Sequence, residues 1–178
     1  MMESNALEEV KAADPVAVSS DLAALAGKYL TFNLAGESYG IEILKVQEII
    51  GMMAITRVPK TSAFVRGVIN LRGKVIPVID LRLKLGLSSV EDTARSCIIV
   101  LQVQGNQGST TMGIIVDEVS EVVDIAASQL EPSPEFGSET IETDYLIAMG
   151  KIGERVVMLL DGAKLVLASE KSLLTPGA

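Results

Sequence analysis

The 178-residue chain has no histidine, no tryptophan, one cysteine and only 3% aromatic residues. Without histidine the chain offers no imidazole base or nucleophile, no histidine metal ligand and no phosphorelay histidine. The single cysteine, Cys97, cannot form an intrachain disulfide, which fits a reducing compartment; its place in the apolar run Cys97–Leu101 reads as core packing. No apolar run approaches the roughly 18 residues of a membrane span. The acidic start (Glu3, Glu8, Glu9) lacks the apolar stretch of a secretory signal. No glycine-rich loop followed by Lys-Ser/Thr is present, so a nucleotide site of that type is excluded. The expectation is a cytoplasmic protein with no cofactor, no metal, no catalytic residue and no direct membrane insertion.

What the chain does have is 48% apolar residues in many short β-branched runs separated by glycine. That pattern favours a β-rich fold, and the length suits one domain or two small lobes sharing a core. Residues 1–27 are mostly Ala, Ser, Glu and Asp and are expected to form a disordered tail, with a frayed helical turn near Asp21–Ala26. Order begins at Lys28, with a hairpin of Tyr29–Leu34 and Tyr39–Ile43.

Net charge is −8, which argues against nucleic acid as a partner. The charge is uneven: Arg57 to Lys84 holds seven basic residues against one acid, Asp80. A basic face on an acidic body suits oriented docking against proteins, and a plain solvated face explains the same numbers.

Within that basic segment, Val68–Leu71 and Val75–Ile79 read as strands folded about Arg72-Gly73-Lys74. Gly73 supplies the left-handed backbone of a tight turn. Consecutive apolar positions in the second strand predict burial on both faces. Pro77, having no amide to donate, is expected at a bulge or an unpaired edge. Asp80 is expected to cap a short helix, Leu81–Leu85, with Lys84 four residues on from the acid.

The chain also repeats. Gly40–Ile49 aligns with Gly113–Val122 at a constant offset of 73, and Gly73–Asp80 resembles Gly153–Asp161 with one residue inserted. Each closing segment is followed by a short Leu-rich turn, Leu81–Leu85 and Ala163–Leu167. Two copies of one small β unit, each too small to bury much alone, predict two barrels packed side by side with a groove between them.

Asp80 and Asp161 each end an apolar strand, as a phosphorylated aspartate does, but a helix N-cap explains both with one mechanism. Asp117, Glu118, Glu121 and Asp124 alternate with apolar residues and lack the turn glycine of a hard-cation loop, so they read as the solvent face of a strand. Glu48 recurs as Glu121, and either a structural ion pair or a contact surface accounts for it. Arg66 and Arg72 are the leading functional candidates, against the plainer reading of surface arginines beside a turn.

Lys45-Val46-Gln47-Glu48-Ile49, Gly67–Gly73, Val75–Arg82, Pro134-Glu135-Phe136 and Asp144-Tyr145-Leu146 together resemble the CheW family of bacterial chemotaxis coupling proteins. The likeness runs from about Lys28 to Leu174. It implies an all-β fold with short helices, in which two SH3-like five-stranded barrels occupy about 28–90 and 91–174 of a 28–174 domain. It further implies a non-catalytic adaptor joining the cytoplasmic tip of a chemoreceptor to the regulatory domain of the histidine kinase CheA. That adaptor would be monomeric when free and recruited to membrane-associated receptor arrays. By the same likeness, a receptor helical hairpin lies in the groove against Ile43, Val46, Ile49 and Val119. Glu48, Gly67 and Arg72 fall at coupling positions, with Arg66, Asn70 and Gly73 in the same hairpin. Kinase contact is implied at the apolar ends of the first barrel, and a weaker face on the other barrel extends the ring. Other readings are a CheW-like regulatory domain of a kinase, a parallel non-chemotaxis pathway, or a small-ligand barrel or weak hydrolase.

Overall fold

The computed structural model describes residues 22–105, 108–133 and 145–174. Residues 1–21 of the expected tail, Pro134-Glu135-Phe136 and Asp144 lie outside the described residues. In chain order the strands are β1 (Gly27–Leu34), β2 (Glu37–Glu42), β3 (Val46–Gly51), β4 (Val65–Leu71), β5 (Lys74–Asp80), β6 (Cys97–Gly105), β7 (Gly108–Val116), β8 (Glu118–Ile125), β9 (Leu130–Glu131), β10 (Leu146–Ile152) and β11 (Arg155–Leu160). Helix α1 (Leu81–Lys84) follows β5, helix α2 (Gly162–Leu174) follows β11, and a 3-10 turn, Ile43–Lys45, joins β2 to β3.

The strands form two sheets, a six-stranded one in the order β8-β1-β2-β11-β10-β9 and a five-stranded one in the order β3-β6-β7-β5-β4. The repeat is visible in the pairing. Parallel β2 and β11 align Gly40 with Leu159 and Ile41 with Leu160, while parallel β5 and β7 align Gly113 with Val78 and Ile114 with Ile79. Each copy therefore lends its opening hairpin to the other copy's closing strands. The expected split into 28–90 and 91–174 is corrected accordingly: one barrel is built from β3–β7 and the other from β1, β2 and β8–β11. The physical reason is an open edge. Without β11 and β5 beside them, β2 and β7 would each expose a row of unpaired backbone groups. The sixth strand of the larger sheet is the two-residue β9, and its counterpart beside β4 is the single bridge Thr56–Val68.

Three apolar clusters follow from this exchange. Tyr29, Ile125, Leu130, Ala148, Val157 and Leu159 fill one barrel, and Ile69, Ile76, Val78, Ile98, Val100 and Ile115 fill the other. The largest cluster lies between them and draws Phe32, Leu34 and Leu160 from one sheet and Ile79, Leu101 and Ile114 from the other. Burying this shared core fixes the barrels side by side, since neither sheet can cover it alone.

Asp80 caps α1 by accepting from the Leu83 amide at 3.3 Å, and Asp161 accepts from the Lys164 amide at 3.0 Å at the start of α2. Helix α2 is longer than the expected turn because Leu165 and Val166 are buried in the shared core. One local expectation holds and one changes. Pro77 sits opposite Val68, whose amide and carbonyl both bond to Thr56, and β7 joins β5 only from Val78 on, so the missing amide faces an unpaired edge as expected. Lys84 does not pair with Asp80; its Nζ lies 4.2 Å from the Phe64 ring centroid and 5.5 Å from that of Tyr145. These two aromatic residues occupy equivalent places, their carbonyls accepting the amides of Asp80 and Asp161 respectively.

Candidate protein-binding site

The β4–β5 hairpin closes on the pair Leu71–Lys74, so Arg72 and Gly73 form a two-residue loop. Both have positive φ, 53° for Arg72 and 87° for Gly73. Asn-Gly is the usual occupant of such a loop, whereas a non-glycine side chain in the left-handed region costs roughly 1–3 kcal/mol. The Asn70 side chain accepts from the Gly73 amide at 2.9 Å, which braces the turn. Arg72 is ion-paired with Glu48 of β3, with the arginine largely exposed and the glutamate mostly covered. The second copy has a related pair: Glu121 of β8, equivalent to Glu48, meets Arg155 at the start of β11 at 3.3 Å. In each barrel a glutamate on an outer strand of the sheet is thus tied to the closing hairpin.

Gly67 is required by close approach. Its φ is 144°, and a Cβ there would lie 2.1 Å from the Thr56 carbonyl oxygen. That carbonyl accepts from the Val68 amide at 2.8 Å, so neither backbone is free to retreat.

Arg66 is not a bare surface cation. It pairs with Asp92 and lies 3.6 Å from Asp80, whose side chain is 8% exposed. Arg82 donates twice to Asp117, at 2.9 and 2.6 Å, and once to the Ser88 carbonyl at 3.1 Å. The basic face expected over residues 57–84 is therefore corrected: three of its arginines are neutralised by acids on other segments. The bond from Arg82 holds the Asp117 carboxyl below the usual carboxylate range, outweighing its partial burial, and the same bond raises Arg82. Asp117, expected on a solvent face, is the sole residue between β7 and β8, where the chain crosses from one sheet to the other.

Ile43, Val46 and Val119 are each partly buried and pack on the shared core. Val46 and Val119 stand at equivalent places in the two copies, at the starts of β3 and β8, so the three flank the seam between the barrels. Ile49 is 42% exposed, and its counterpart Val122 is 51% exposed. Val75 and its counterpart Val156 are also exposed, at the outer ends of the closing hairpins. Sequence reasoning passed over these last three, although the offsets that link the copies also link them.

The two barrels end differently. At one, Leu22 and Leu25 pack on the core beside Ile125 and Ile147. At the other, Arg66 replaces Ile147 and the segment before β6 carries Asp92 instead of leucines. There a shallow, open depression of about 360 Å³ is lined by Met52, Met53, Ala54, Ile55, Arg66 and Asp92.

Among the described residues no group of three or more His, Cys, Asp or Glu side chains could hold a metal ion, and no helix is long and apolar enough to cross a membrane. What the fold presents is a seam of aliphatic side chains over a shared core, with a hairpin arginine held beside it. That is a protein-binding module made of paired SH3-like barrels. Residues 28–170 match the model of the CheW-like domain. The chain is 44% identical over 146 residues to the chemotaxis protein CheW of Klebsiella aerogenes, covering 82% of this chain and 85% of that protein. It is 36% identical to the chemotaxis protein CheW of Bacillus subtilis, covering 82% and 89%. The crystal structure of the scaffolding protein CheW from Thermoanaerobacter tengcongensis superposes with a TM-score of 0.68 at 34% identity, over 76% of this chain and 89% of that one. The chain belongs to the CheW family of chemotaxis adaptors.

Proposed function

We propose that this chain couples chemoreceptors to the histidine kinase CheA, binding both and catalysing nothing, in the cytoplasm and at membrane-associated receptor arrays. The observation that carries this reading is the seam. Ile43, Val46 and Val119 offer an apolar strip backed by a rigid shared core, with Ile49 exposed on the same strand as Val46. An amphipathic helix laid on such a strip gains affinity from apolar burial, and rim charges such as Arg72 fix its register. Glu48 and Arg72 are the coupling residues in this reading; Gly67 holds the hairpin's shape, and Arg66, Asn70 and Gly73 support it.

The kinase's regulatory domain, by family likeness a similar pair of barrels, docks on the open end of the β3–β7 barrel. Support comes from the contrast between the ends: the chain covers one with its own leucines and leaves Met52, Met53 and Ile55 lining a shallow, open depression at the other.

A reconstituted mixture of receptor cytoplasmic fragment and CheA tests the proposal. Adding this chain is expected to make kinase autophosphorylation depend on the receptor. Val46→Asp should abolish receptor capture while sparing kinase capture. Receptor control that is unaltered by the chain's presence would refute the coupling role.

A further inference from the structure

The seam has two walls, one at each place where the chain crosses between sheets. At the β7–β8 crossing, Asp117 accepts two bonds from Arg82 and one from the Ala35 amide at 2.9 Å. Its own amide donates to the Asn33 carbonyl at 3.2 Å. The next residue, Glu118, lies within 4.0 Å of Arg95 and accepts from the Asn33 side chain at 3.5 Å. Val119 follows directly.

The β2–β3 crossing occupies the equivalent place in the other copy and is held differently. Leu44 stands where Asp117 does, 89% exposed, and Ala163 stands where Arg82 does. The ion pair here is local, Glu42 to Lys45 at 4.0 Å, with both side chains partly exposed. Ile43 and Val46 flank Leu44. The copies share a backbone plan and both crossings pack on the shared core, so the difference lies in the polar side-chain bonds: those of one crossing reach other segments of the chain, while the other has a local ion pair.

We infer that Arg82 and Asp117 are positioning residues that fix the Val119 wall, and that the Ile43–Lys45 wall is the one that adjusts when a helix docks. This rests on the proposed receptor reading for its biological meaning, although the inequality of the walls stands without it. A preset wall lowers the ordering cost of binding. Leu44, on the adjustable side, is free to close over the docked helix, which makes it a contact residue that sets preference among helical partners.

Hydrogen exchange on the full chain tests the inequality. In the free protein, amides of residues 43–46 are expected to exchange on the order of tenfold faster than those of residues 116–119. Asp117→Ala should speed exchange at Ala35 and at 117–119 to the level of the other wall. Equal rates in the wild type, or protection at Ala35 that survives Asp117→Ala, would overturn the inference. Affinity gives the second readout. Asp117→Ala and Arg82→Gln should weaken binding of a receptor cytoplasmic fragment about tenfold and leave CheA binding within twofold. Parallel loss of both affinities would mark a merely structural role and sink the assignment. Should Asp117→Ala fail to fold, Arg82→Lys keeps one charge without the two-pronged bond; an intermediate affinity loss is expected, and none would count against positioning. If the wild type ignores the receptor fragment, the functional reading fails, while the exchange comparison still decides whether the walls differ.

Discussion

Arg72→Asn separates coupling from folding more cleanly than removal of any buried residue. Arg72 occupies a left-handed turn position with φ 53°. Asparagine tolerates that conformation, so the change should relieve on the order of 1 kcal/mol of backbone strain. The variant also loses the Glu48 ion pair, whose arginine is 66% and glutamate 25% exposed. Pairs this open to solvent contribute about 0–1 kcal/mol. The two effects nearly cancel, and the melting temperature should move by no more than about 3 °C for a chain of this size. Receptor-stimulated kinase autophosphorylation should nonetheless fall, by on the order of tenfold if the guanidinium makes one charged hydrogen bond in the assembly. Calorimetry and the reconstituted receptor–kinase assay supply the two readouts. A Glu48→Gln, Arg72→Asn double variant no worse than either single would show that the residues act as a unit. Full stimulation by a normally folded Arg72→Asn protein would refute the reasoning.

Gly67→Ala forces a methyl group to within 2.1 Å of the Thr56 carbonyl; a loss of more than about 3 kcal/mol, read from urea unfolding midpoints, is expected. Arg66→Ala removes the cation nearest the buried Asp80 carboxylate and should cost roughly 1–3 kcal/mol, with Arg66→Lys restoring only part because it lacks the planar fork. The Tyr29 hydroxyl donates to the Leu25 carbonyl at 2.6 Å, and burial, then the Glu42 charge, pushes its pKa up to about 12. The folded state thus holds this proton more tightly than the unfolded chain does. The associated stability is fully present below about pH 10 and is lost as pH rises through about 12, a change on the order of 2–3 kcal/mol. Tyrosinate absorbance against pH should show a delayed step in the wild type that Tyr29→Phe lacks, while Tyr39, also raised by burial and then the Glu37 charge, is delayed in both.

Much of this organisation was legible in the sequence because it is local. Gly73, the Asp80 and Asp161 caps, and the offset linking Glu48 to Glu121 and Val46 to Val119 all lie within a few residues or follow one repeat. What escaped depends on pairing at a distance. A repeat reveals that two copies exist, but β2 looks the same whether it pairs within its own copy or, as here, with β11 more than a hundred residues on. Arg66, Arg72 and Arg82 read as a basic patch because Asp92, Glu48 and Asp117 stand 24 to 35 residues away and sequence distance hides the pairing. Lys84 followed the aromatic rings of Phe64 and Tyr145, which the fold brings together, in preference to the acid four residues before it.

The seam's role as the receptor site is tested most directly by methyl NMR of the isoleucine- and valine-labelled chain titrated with a receptor cytoplasmic fragment. Ile43, Val46, Ile49 and Val119 are expected to shift first and furthest, while Val75 and Val156, exposed on the outer hairpins, stay in place. Shifts centred on those outer valines, with the seam unmoved, would contradict the account.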